Sequence, residues 1–152
     1  MRKEKANEER YFEEQYKNNC FIDVFYFINE KKKVVVCKLV PGAYYKYDGD
    51  LNFKDSLNKS FFEYCDDTNK SFVGKATCLG EDEFDIDFGM KLAYDKAMLK
   101  MMRSKRLCLL DSIDDIKKEL YEAEELLNEL DAQDRRVIER FENKIKQSME
   151  NN

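Results

Sequence analysis

Residues 21–40, "FIDVFYFINEKKKVVVCKLV", decide the fold. Phe21–Ile28 and Lys33–Val40 are short runs of β-branched and aromatic residues, apolar on both parities, and the polar "NEKK" between them suits a turn. The pattern predicts a β-hairpin buried on both faces. Such a hairpin needs cover from two sides, which flanking helices can provide.

On the N-terminal side, residues 3–18, "KEKANEERYFEEQYKN", place Tyr11, Phe12 and Tyr16 at helical spacing among strong helix formers. A helix docked by one aromatic edge is expected. On the C-terminal side, Pro41 and Gly42 have the composition of a tight turn. "FKDSLNKSFFEYC" carries Leu57, Phe61, Phe62 and Tyr64 at helical spacing, "DDTNK" reads as a loop, and Ser71–Leu79, "SFVGKATCL", as a third strand.

Gly80–Gly89, "GEDEFDIDFG", wraps five carboxylates around Phe84, Ile86 and Phe88. A calcium loop needs ligands at its first, third and fifth positions, glycine at the sixth and Glu at the twelfth, and no alignment of this stretch supplies them. A helix start fits better. Asp85 is a favoured N-cap, Asp87 falls in the first turn where a carboxylate complements the helix dipole, and Phe84 and Phe88 can then turn inward.

The following "MKLAYDKAMLKMMRSKRL" is amphipathic, with Met90, Tyr94, Ala97 and Met101 on one face and Lys96, Lys100 and Arg103 on the other. That basic face can contact phosphates or pair with an acidic helix folded back on it, and pairing within the chain is the preferred reading. Met90, Met98, Met101 and Met102 suit core filling or an adaptable contact surface. From Ile113 the apolar residues Ile113, Ile116, Leu120, Ala123, Leu127 and Leu130 alternate steps of three and four, a heptad seam. It meets Asp134, and a second phase is expected from Val137, Ile138, Phe141 and Ile145, either by a stutter or with Asp131 capping a new helix.

The chain has 152 residues, 43% hydrophobic and 39% charged, with a net charge of −5, which suits one soluble globular core and argues against nonspecific attraction to nucleic acid. Five widely spaced cysteines and no histidine give no zinc pattern, and imply reduced thiols in a cytoplasm. The charged N-terminus and the lack of a long apolar run predict no signal peptide and no membrane span. Neither a metal nor a cofactor is expected.

The run "VGKATCLGEDEFDIDFGMKLAYDKA" resembles a block in small accessory proteins of phages and prophages of low-GC Gram-positive bacteria. The matching positions are Gly74, Ala76, Cys78, Asp82 or Glu83, Phe84, Asp85, Gly89, Leu92 and Ala93, about a sixth of the chain. The long N-terminal half and the acidic helical tail depart from that pattern. The resemblance implies an anti-defence protein acting in the host cytoplasm, of the kind that includes anti-CRISPR proteins and binders of defence signalling nucleotides.

Without histidine, Ser–His and Cys–His nucleophile systems are excluded, and no G-x-S-x-G, Walker or G-x-G-x-x-G pattern occurs. Asp23 followed by Glu30 and Lys32 resembles the D…E-x-K magnesium site of restriction-type nucleases, although Glu30 and Lys32 fall in the expected turn. The expectation is therefore an α+β fold, a small mostly antiparallel sheet flanked by helices with a C-terminal long helix or helical hairpin. Residues 1–110 would form the domain, and residues 111–152 a coiled-coil segment packed on it or on a second copy as a homodimer.

The expected function is non-enzymatic inhibition of a host defence protein, with a CRISPR effector as the leading partner. Glu81, Asp82 and Glu83 would mimic phosphates, and Tyr44, Tyr45 and Tyr47 would anchor the contact. Sequestration of a small nucleotide is the alternative, and a magnesium nuclease the weaker one.

Overall fold

The computed structural model describes residues 7–17, 20–43, 51–80 and 83–151. The fold is α+β. Strands β1 (Glu8–Lys17), β2 (Cys20–Asn29), β3 (Val34–Ala43) and β4 (Phe72–Thr77) form an antiparallel sheet in sequence order, with helix α1 (Phe53–Asp67) between β3 and β4 and helix α2 (Ile86–Glu150) after β4. The chain divides into two compact units, Met1–Leu109 and Leu110–Asn152.

β2 and β3 pair from Cys20 with Ala43 to Asn29 with Val34, closed by a turn at residues 30–33. Lys33 takes the left-handed conformation there at φ 52°, and its amide donates to the Glu30 carbonyl. Ile22, Val24, Tyr26, Ile28, Val35, Cys37 and Leu39 point to one face and are buried with the helices. The other face is not covered as the hairpin composition predicted: Phe25 and Val36 are half-buried and Phe27 is 39% exposed. Apolar residues on both parities mark a sheet with one sealed face and one open aromatic face.

β1 stands where a helix was expected. Its alternation decides the matter: Arg10, Glu14 and Tyr16 reach the helices on the covered face, while Tyr11 lies on the other side against Phe25, with ring centroids 5.1 Å apart. Pairing with β2 from Glu8 to Gln15 satisfies backbone groups that helix propensity alone would have placed elsewhere. The charge of this strand also suits a sheet edge, where it discourages pairing with other chains.

No turn forms at Pro41 and Gly42, which continue β3 opposite Ile22 and Phe21. β4 pairs with β3 only as far as Leu39, so among the described residues one side of β3 has no strand partner at Pro41, and a residue without a donor is tolerated there. A Cβ on Gly42 would lie 2.9 Å from the Phe21 ring, so glycine lets that ring cover the strand.

α1 begins where the Asn52 side chain accepts from the Asp55 amide at 2.8 Å, and it buries Phe61, Phe62 and Cys65. β4 fits against the first part of α2 through small residues. A Cβ on Gly74 would run into the Ala93 carbonyl oxygen and sit 2.6 Å from the Ala97 nitrogen. Gly89 passes close to Val35 of β3, and Gly89, Ala93, Ala97 and Met101 form the buried face of α2 at intervals of four.

Candidate functional site

Residues 83–89 lead into a helix start, as the residue types of this stretch indicated. Asp85 accepts from the Phe88 amide at 3.1 Å through its side chain and from Gly89 at 2.9 Å through its carbonyl, and Asp87 occupies the first turn. Phe84 packs against the core, but Phe88 is 64% exposed rather than turned inward. With Leu79 and Leu92, these rings line an apolar recess of about 370 Å³ between the end of β4 and the start of α2. Glu83 is exposed at its margin. Glu81 and Asp82, and likewise Tyr44, Tyr45 and Tyr47, lie outside the described residues.

The basic face has a structural use that sequence reasoning missed. Lys96 donates to the Lys75 carbonyl at 2.9 Å and Lys100 to the Val73 carbonyl at 2.6 Å, so both ammonium groups cap the outer edge of β4. Arg103 is exposed one turn on. The acidic residues 114–131 belong to the same helix, α2, as this basic face rather than to a separate one. Met101 is core, Met90 and Met98 pack against it, and Met102 is exposed.

Ionisable groups in the first unit are arranged for stability. Burial raises the Cys37 thiol and the Tyr26 phenol each to about 12, and the Cys65 thiol to about 11. Tyr94 is raised by burial and by its 2.7 Å hydrogen bond to Glu14. Thiols held protonated in this way are poor nucleophiles and poor metal ligands. Asp23 accepts from the Tyr11 hydroxyl at 2.6 Å, and about 20 Å of extended strand separates it from the turn that holds Glu30 and Lys32. The three groups of the nuclease pattern do not converge. Among the described residues no group of three or more Cys, Asp or Glu side chains could hold a metal ion, and no helix is long and apolar enough to cross a membrane.

The remaining feature is the second unit. No glycine or proline occurs from Met90 to Glu150, and the helix runs without a break through residues 131–134, so Asp131 caps nothing. Val137 follows Leu130 by seven residues and Phe141 follows Asp134 by seven, so the seam keeps its phase. Up to Phe141 the seam has one polar position, Asp134; beyond it the next seam position is Lys144, and Ile138 and Ile145 lie one residue off the seam, where the expected second phase puts them. Along this seam Ile113, Ile116, Leu120, Leu127, Leu130, Val137 and Phe141 are each between 40% and 64% exposed.

The helix that carries the seam is strongly polarised in charge along its length. Residues 114–131 hold eight carboxylates against two lysines, and residues 132–147 hold five cations against three carboxylates. A helix with an apolar stripe of this kind, bounded by charge, is built to receive another helix. Comparison with protein-family models, with curated proteins and with solved structures finds no match to the chain.

Proposed function

We propose that the chain is a non-enzymatic binding protein that assembles through the heptad seam of its C-terminal unit. The observation that carries this reading is the row of exposed Ile, Leu, Val and Phe side chains from Ile113 to Phe141. Fully burying each of the larger ones contributes roughly 1.5–3 kcal/mol, so about six from each chain, already half-buried, contribute an amount comparable to the association cost of a helix pair, roughly 4–15 kcal/mol. Pairing two chains also doubles the α+β unit on one particle, which raises apparent affinity for any target that both units can reach.

The target suggested by the resemblance to phage and prophage proteins is a host defence protein. The open sheet face, with Tyr11, Phe25 and Phe27, and the acid-rich flank of residues 114–131 are surfaces suited to such a contact.

Sedimentation or light scattering should give a mass above the 18.2 kDa of one chain. The pair Leu120→Asp and Leu127→Asp should return it to that value with the thermal transition of the first unit unchanged. A wild-type mass of 18.2 kDa at about 100 µM, some hundredfold above a micromolar Kd, would refute assembly. Adding excess protein to a purified CRISPR effector tests the target, and undiminished cleavage would remove that effector as the partner.

A further inference from the structure

We infer that the helix received by the seam is the C-terminal unit of a second copy lying antiparallel, with the two-fold axis between Asn128 and Glu129. This rests on the reading that the seam is used for assembly, and adds who the partner is and how it is oriented.

Three features of the seam select this arrangement. The first is charge. The acidic half, residues 114–131, and the basic half, residues 132–147, lie at opposite ends of the seam. A parallel pair sets acidic half beside acidic half, whereas an antiparallel pair sets each acidic half beside the other chain's basic half. The helix is thus complementary to its own reverse.

The second feature is Asp134. In a parallel pair the two Asp134 carboxylates would meet in one layer of the seam, like charges at a position that wants apolar side chains. With the axis between residues 128 and 129, Asp134 falls opposite Ala123 of the second copy, whose small side chain leaves room for the carboxylate to reach water. The three layers nearest the axis on either side of that one match apolar with apolar, Leu127 with Leu130, Leu120 with Val137 and Ile116 with Phe141, while at the outer end Ile113 meets the aliphatic stem of Lys144.

The third is the flanking pair Glu119 and Arg140, which this register brings together twice, once on each side of the axis. In a parallel pair Glu119 would face Glu124 instead. Glu124 and Asp131 do approach across the other flank of the antiparallel pair, at exposed positions where salt screens their repulsion.

These contacts make a sharp experiment, because one substitution moves the two orientations in opposite directions. Glu119→Arg in the full chain should weaken dimerisation by roughly tenfold, since two attractive contacts become repulsive. Arg140→Glu should do the same, and the double variant should recover the wild-type dissociation constant. All four proteins would be compared by sedimentation at low salt.

Tighter dimerisation of Glu119→Arg, or a double variant no better than either single one, would overturn the antiparallel arrangement and leave assembly standing. A wild-type chain that sediments at 18.2 kDa throughout would overturn both. Both positions are exposed on the helix, so neither substitution threatens the core.

Discussion

Two parts of α2 carry apolar residues at helical spacing and meet opposite fates. At Gly89, Ala93, Ala97 and Met101 the helix is sealed against the sheet. From Ile113 to Phe141 the apolar seam is exposed throughout. The side chains differ in kind as well as in burial. Small residues at intervals of four let a helix backbone come close to a strand, as the fit of Gly74 against Ala93 and Ala97 requires. Leucine, isoleucine and phenylalanine in alternating steps of three and four are knobs for another helix. An apolar stripe therefore announces what it packs against as well as that it packs.

The contrast would be broken first at the core. Phe62→Ala removes a fully buried ring and should destabilise the first unit by about 3–5 kcal/mol in chemical denaturation. Leu127→Ala should leave that unit's transition within about 0.5 kcal/mol while weakening assembly. Equal effects of the two substitutions on the first unit would erase the distinction between sealed and open stripes.

Alkaline titration should separate the units next. Burial holds Cys37 and Tyr26 protonated to about pH 12 in the folded chain, against ordinary values of 9.0 and 10.0. The unfolded chain gives up those protons sooner, so the stabilisation is complete below about pH 9 and is lost as pH rises towards 12. The expected fall is on the order of a few kcal/mol in the first unit, read from melting temperature between pH 8 and 11. A flat profile would show that these groups are solvated in the native state.

Asp134→Leu sharpens the comparison from the other side. It fills the polar gap in the seam opposite a small residue, and association should tighten about tenfold or more, with the first unit unaffected. Weaker association would mean that Asp134 makes a contact the seam depends on. The smallest effect belongs to the N-cap: Asp85→Ala should destabilise the first unit by about 1 kcal/mol and leave the mass in solution unchanged.

Much of this chain was legible where local pattern and tertiary context agree. The β2–β3 hairpin, α1, β4, the Asp85 cap and the heptad spacing all follow from periodicity, turn residues and capping chemistry. The misreadings have one cause. Residues 8–17 favour helix locally, and Pro41–Gly42 favours a turn, yet both became strand because neighbouring strands offered ladder partners. Lys96 and Lys100 read as a free basic face because nothing in their own segment reveals that β4 carbonyls lie within reach.

By itself, the sequence determined that there is a sheet, that a helix starts at Ile86, and that the C-terminal forty residues carry an apolar heptad stripe. These depend on spacing and side-chain chemistry within a few turns of chain. Only the tertiary structure decided that β1 is a strand, that the sheet has one open face, that Gly74 must be glycine, and that the seam from Ile113 to Phe141 is left uncovered. Those outcomes turn on which surfaces meet across long separations in sequence, where the free energy of burial and backbone pairing outweighs the roughly 0.5 kcal/mol per residue of local preference.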